Sequence, residues 1–253
     1  MVDRRLAGLI LAVFLVAPAA VWPGGARAGP CGSPDSPPAC RAPCAANPAM
    51  EAMRRDLRER AEAGEAAALW RMAGTWTGGP ERLCRPDDAD LARAADWLER
   101  AAVAGHVEAQ AALGDAWELG RGVPRDYGEA LRWFHAAAAN GHVRAIFRVG
   151  VFHDFGRARL PRDPGIAARW YAEAARRGLC DARFALATMY AQGRGVVADT
   201  GLAWLLYGLV ADDTGVPCYG HDSGDAARAR SRLGAQLSPA DRDAMRRQLP
   251  LWE

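Results

Sequence analysis

Four aspartates recur along the chain, Asp90, Asp126, Asp163 and Asp199, at intervals of 36, 37 and 36 residues. Four residues after each stands Ala94, Ala130, Ala167 or Ala203, and seven after each stands Trp97, Trp133, Trp170 or Leu206. At eleven and twelve come Ala101-Ala102, Ala137-Ala138, Ala174-Ala175 and Val210-Ala211. These offsets lie on one face of an α-helix. Gly105, Gly141 and Gly178 then stand where a helix C-terminus favours glycine. A second helical pattern follows, through Ala109, Ala145 and Ala182, then Leu113-Gly114, Val149-Gly150 and Leu186-Ala187, closing on Trp117, His153 and Tyr190. An earlier copy runs through Gly64, Ala68, Met72, Ala73 and Trp76, with residues 49–63 as its first helix. A two-helix unit of this kind cannot bury its apolar stripe alone. It must stack on copies of itself, and the product is an all-α solenoid.

The chain outside the repeat reads differently. Arg4 and Arg5 precede the apolar run from Leu6 to Ala20, and Ala26-Arg27-Ala28 forms a small-x-small cleavage signal, so residues 1–28 read as a secretory signal peptide cut before Gly29. Residues 29–48 are rich in Pro, Gly, Ser and Cys and form an irregular arm rather than a core. After Asp213 the repeat lapses, and residues 214–253 supply two further helices as a C-terminal cap. The second of these starts at Ser238-Pro239, with the hydroxyl placed to accept a backbone amide.

Charge narrows the partners. The chain has 32 basic residues, all Arg, and 30 acidic ones, and loss of residues 1–28 leaves 29 of each sign. A neutral chain lacks the long-range field that draws nucleic acid or an anionic membrane, so neither is expected as a partner once the signal is cleaved. The six cysteines, Cys31, Cys40, Cys44, Cys84, Cys180 and Cys218, lie beyond the signal. An even count in an exported chain favours disulfides, and no CxxC pair or His partner points to a metal.

The runs "AALGDAWELGRGVPRDYGEALRWFHAAAANGH" and "FALATMYAQGRGVVADTGLAWLLYGLVADD" resemble Sel1-like repeats, relatives of the tetratricopeptide repeat, over about residues 49–213. The resemblance implies a right-handed α-solenoid. It also implies a non-catalytic protein-interaction scaffold or adaptor in the cell envelope, periplasmic or secreted, of the kind linked to assembly or regulation of envelope and exopolysaccharide machinery. Some cysteine-rich members of the family are associated with penicillin binding or β-lactam hydrolysis, which is the alternative activity. This chain departs from them, because only Cys84 and Cys180 fall within its repeats. It departs from the repeat as well, with "FGRARLPRD" carrying Ala158 where Gly122 and Gly195 stand in the other turns and one added residue, so that loop should differ.

No catalytic constellation emerges. "GHDSG" at residues 220–224 puts His, Asp and Ser side by side, whereas a triad needs them to converge from separate positions; Ser223 reads better as a helix N-cap. SxxK is impossible without lysine. His106 and His142 occupy equivalent repeat positions, His153 stands in for a packing aromatic, and His135 falls on a helix flank. No cofactor or metal is expected.

Two expectations concern sites. Cys180 opens a second helix and Cys218 falls in the corresponding turn of the next unit; such turns stack, so these two should be bonded, with Cys84 pairing to Cys31, Cys40 or Cys44. The Asp-column helices read as the first in each repeat, and in stacked two-helix repeats the first helices line the concave side, so their faces away from the Ala and Trp stripe should point into a groove. Those positions are Arg93, Asp96, Arg100, Glu129, Arg132, Arg169 and Glu173, a mixed-charge surface suited to a protein or peptide.

Overall fold

The computed structural model describes residues 47–77, 86–212, 218 and 223–252. The signal peptide, the arm up to residue 46, and Cys31, Cys40, Cys44 and Cys84 lie outside the described residues. Among the described residues the structure is all-helical, without strands, and helix pairs pack on one another from the first helix to the fifth and from the sixth to the ninth. It divides into two compact units with the boundary between His142 and Val143.

The first unit holds α1 (Pro48–Glu62), α2 (Ala66–Trp76), α3 (Asp88–Val103), α4 (Val107–Leu119) and α5 (Tyr127–Ala139). Its core runs through Leu57, Ala61, Leu69, Met72, Leu98, Ala101, Ala109, Leu113 and Trp133, so alanines alternate with large side chains. The alanines allow close approach of the helices and the large residues fill the layer between them. The second unit holds α6 (Val143–Phe155), α7 (Pro164–Arg176), α8 (Cys180–Gln192), α9 (Thr200–Asp212), α10 (Ser223–Gly234) and α11 (Pro239–Arg246). Here α9 is apolar nearly all round: Ala203, Trp204, Leu205, Leu206, Tyr207 and Val210 are all buried. That composition suits a helix covered on several sides, and α8, α10 and α11 all pack on it.

Helix ends follow the sequence cues. Gly105, Gly141 and Gly178 take φ of +88°, +84° and +83°. At each, the following amide bonds five residues back, His106 to Ala101, His142 to Ala137 and Leu179 to Ala174, while the glycine's own amide bonds Ala102, Ala138 or Ala175. This double bond pattern is the Schellman motif, which satisfies carbonyls that a bare helix end would orphan. Ser238 Oγ accepts from Asp241 N at 3.1 Å and opens α11 as a capping box. Asp126 and Asp163 are N-caps, of α5 and α7. The first member of the column departs: α3 begins earlier, with Asp87 as N-cap, and Asp90 sits buried in its first turn, completing a capping box. The turn after α6 departs too, with Ala158 and Arg159 in left-handed conformation and Arg162 Nε donating to Asp154 O at 2.9 Å.

The large buried column stands one residue beyond the tryptophans. Of the expected column Trp133 and Leu206 are buried but Trp97 and Trp170 are only half-buried, whereas Leu98, Phe134, Tyr171 and Tyr207 are all buried. The cause lies in the small residue of the preceding helix. A Cβ on Gly114 would meet the Phe134 ring at 2.7 Å, and one on Gly150 would meet Tyr171 at 2.8 Å, so each ring lies directly on bare backbone.

Cys180 and Cys218 form a disulfide, with Cα atoms 5.2 Å apart, joining the start of α8 to the segment that follows α9.

Candidate functional site

The seven sequence-selected residues fall in two separate units. Arg93, Asp96, Arg100, Glu129 and Arg132 belong to the first, and Arg169 and Glu173 to the second. All are exposed or half-buried at the surface. On α3, Arg93 lies 3.7 Å from Asp90 Oδ1 and its guanidinium is 5.0 Å from the Trp76 ring. Arg100 lies 4.2 Å over Trp97 and donates to Ala61 O at 3.4 Å. On α5, Arg132 Nε donates to Glu129 at 2.9 Å, with the guanidinium 4.7 Å from the Trp133 ring. In the second unit, Glu173 accepts from Arg177 at 2.8 Å and lies 3.9 Å from Arg176.

These charges are therefore largely matched on their own helices. Exposed i,i+3 and i,i+4 pairs contribute only about 0.2–1 kcal/mol each, so they add little to the fold. On both α3 and α5 a guanidinium lies over an indole, as it also does at Arg54 over Trp76 and Arg230 over Trp204. Such an arrangement holds a flat, five-donor group in one orientation, suited to a carboxylate or a backbone carbonyl.

Two polar features escaped the sequence reading. In the second unit buried Asp154 pairs with Arg194, and Tyr171 Oη donates to it at 3.4 Å. Burial raises the Tyr171 phenol far above its ordinary value, and the neighbouring Asp154 carboxylate pushes the same way. The cluster ties α6 and α7 to the turn before α9 and offers no group poised for chemistry. In the first unit, His106 is the N-cap of α4: its Nδ1 accepts from Ala109 N at 3.3 Å, and its ring stacks on Trp70 at 5.3 Å. Sequence assigned this histidine to repeat architecture alone; its position immediately before an alanine-rich helix was the available signal.

His106 makes stability depend on pH. Burial lowers its pKa below 6.5, opposed by Glu108, whose carboxylate lies 3.4 Å from the same Nδ1. Protonating Nδ1 exchanges the Ala109 cap for the Glu108 contact. Because the folded-state value is depressed, the unfolded chain takes up the proton first, so stability is full above about 6.5 and falls as pH drops below it. Comparing His106→Asn with the wild type isolates this effect from His153, whose pKa burial also lowers. Asn can still cap, so between pH 7 and 5 the wild type should lose more stability than the variant in urea unfolding.

Among the described residues no group of three or more His, Cys, Asp or Glu could hold a metal. Gly220, His221 and Asp222 of "GHDSG" lie outside the described residues, and α10 begins at Ser223. No helix among the described residues is long and apolar enough to cross a membrane.

Stacked helix pairs of this kind define a helical-repeat fold. The Sel1 repeat family model matches residues 66–106, 107–142, 143–179 and 180–212, more than half of the chain, and the chain belongs to that family. Its repeats generally form scaffolds that bind protein partners. A Sel1 repeat protein from Oxalobacter formigenes is similar in fold, with a TM-score of 0.61 and 24% identity over 81% of this chain and 80% of that one. A protective antigen of uropathogenic Escherichia coli strains displaying an SLR fold matches with a TM-score of 0.39 and 25% identity, over 74% of this chain and 49% of that one. No curated protein matches.

The family match also fixes the phase. Each repeat begins with α2, α4, α6 or α8, so the Asp-column helices α3, α5, α7 and α9 are second in their pairs. The groove expectation treated them as first. Arg93, Asp96, Arg100, Glu129, Arg132, Arg169 and Glu173 stand as candidates through their exposure and, for Arg93, Arg100 and Arg132, through their aromatic contacts.

Proposed function

We propose that this chain is an exported interaction scaffold of the cell envelope that presents the outward faces of α3, α5 and α7 to a protein partner. The observation that carries the reading is the repeated exposed guanidinium over an indole, Arg100 on Trp97 and Arg132 on Trp133. Fixing an arginine against an aromatic face lowers the entropy lost when it binds, and aromatic and Arg residues dominate interface energetics. In this reading residues 1–28 direct export, residues 29–48 are an arm held by Cys31, Cys40, Cys44 and Cys84, residues 49–213 are the repeat body, and residues 214–253 close its end. The Cys180–Cys218 disulfide fits an oxidising compartment. Assembly or regulation of envelope or exopolysaccharide machinery is the role this implies. A serine-lysine β-lactam hydrolase has no lysine to draw on here.

The test is a double charge reversal, Arg132→Glu with Arg169→Glu, in the oxidised protein used as bait for envelope extract. Both side chains are exposed, so stability should change by less than about 1 kcal/mol. Partner recovery should drop at least about tenfold. Undiminished recovery of the same partner by the folded double variant would remove these faces from the account.

A further inference from the structure

The last described residues of the chain return to the repeats. Helix α11 buries none of its residues, and among the described side chains beyond Gly234 only Trp252 is buried, at 7% exposed. It follows one short 3-10 turn, Leu249–Leu251. The Arg176 guanidinium, at the exposed end of α7, lies 5.4 Å from the Trp252 ring. Arg183 on α8, itself 7% exposed, donates through Nε to Ala175 O at 3.3 Å and through Nη2 to Trp252 O. An indole and a carbonyl thus hold this segment on the second unit.

In the first unit the same register is closed within the repeats. Gln110 stands on α4 where Arg183 stands on α8, and its Nε2 donates to Ala102 O at 3.1 Å, as Arg183 does to Ala175 O. Its Oε1 accepts from Asn140 Nδ2 at 3.1 Å, at the end of the next helix. Arg183 takes its outer acceptor from the chain's end instead. A backbone carbonyl can be offered by any extended segment, so the indole supplies the selectivity. Arg176 follows Arg169 and Glu173 by seven and three residues, on one face of α7, and lies 3.9 Å from Glu173. Trp252 therefore covers one end of that face, in the pairing of Arg with an aromatic that anchors many interfaces.

We propose, on the reading that α7 meets a protein partner, that the site held by Trp252 binds an extended partner segment carrying a tryptophan, and that the chain's own C-terminus occupies it as an internal competitor. The partner's indole replaces Trp252 beside Arg176, and its carbonyl replaces that of Trp252 at Arg183. A tethered tail acts at an effective concentration of about millimolar, so a free segment takes the site only by binding more tightly or once the tail is loosened.

The probe is a labelled peptide, Gln-Leu-Pro-Leu-Trp-Glu, with the sequence of residues 248–253, titrated by fluorescence anisotropy into the full oxidised chain and into its Trp252→Ala variant. The variant should bind it at least about tenfold more tightly than the wild type, and a peptide with Ala for Trp should not bind. Arg176→Glu added to Trp252→Ala, a change at an exposed position, should weaken binding about fivefold or more. A second measurement needs no substitution: a dye on the wild-type C-terminus should lose anisotropy with unlabelled peptide at about millimolar concentration, and should not respond to the Ala peptide. No saturation of the folded Trp252→Ala chain up to about 1 mM, equal binding by wild type and variant, or an unresponsive C-terminal dye would overturn the proposal. A wild-type dimer that becomes monomeric in Trp252→Ala would assign the site to the tail of a second copy and overturn it as well. The peptide measurement involves no partner, so its failure leaves the double charge reversal to decide the α3, α5 and α7 faces separately.

Discussion

Phe134→Ala should destabilise the first unit by about 3–5 kcal/mol, the cost of removing a large aromatic from a closed core. Phe134 is 1% exposed, and its ring lies on the backbone of α4 at Gly114, where even a methyl group would stand 2.7 Å from it. The helices on either side are held by their own hydrogen bonds and by the surrounding core, so the space left cannot close completely. Trp133→Ala should cost less. Its ring is larger, yet it is 8% exposed and shares its outer face with the Arg132 guanidinium. Urea unfolding of both variants checks the order; a smaller loss for Phe134→Ala than for Trp133→Ala would show that the tryptophan column carries the layer after all.

Removing the Cys180–Cys218 disulfide should cost the second unit about 3 to 4 kcal/mol. The bond closes a loop with a sequence separation of 38 residues, and the chain-entropy relation gives a value of that order for a loop this long. Cys180 is 2% exposed at the first position of α8, so its thiol cannot move to water without opening the helix end. Cys180→Ser with Cys218→Ser should therefore lower the denaturant midpoint, and exchange protection should fall most in α8 and α9. A double variant as stable as the oxidised wild type would mean that native packing alone holds this turn.

Much of this architecture is written in the sequence because solenoid repeats are local. The Ala and Gly columns are set by contacts within a helix pair and its neighbours, so Gly105, Gly141 and Gly178 could be assigned to helix ends from spacing alone. Ser238 and Asp241 are legible for the same reason, since the capping box joins residues three apart. The phase was not legible. A periodic sequence fixes the interval between copies and leaves the starting helix arbitrary, and the family match at Ala66 places it one helix away from the Asp-column reading. The buried Phe134 and Tyr171 column was also hidden, because periodicity marks a face without ranking the residues at its edge; the glycines at 114 and 150 held that information.

The central claim is that a protein partner contacts the outward faces of α3, α5 and α7. Site-specific photo-crosslinking in the living cell tests it most directly, with a benzophenone side chain at position 132 or 169 compared with position 108 or 192 on α4 and α8, all four exposed. The account expects one discrete crosslinked species from 132 and 169 and none from 108 and 192. Crosslinks from 108 and 192 alone would place the partner on the other helices and contradict it.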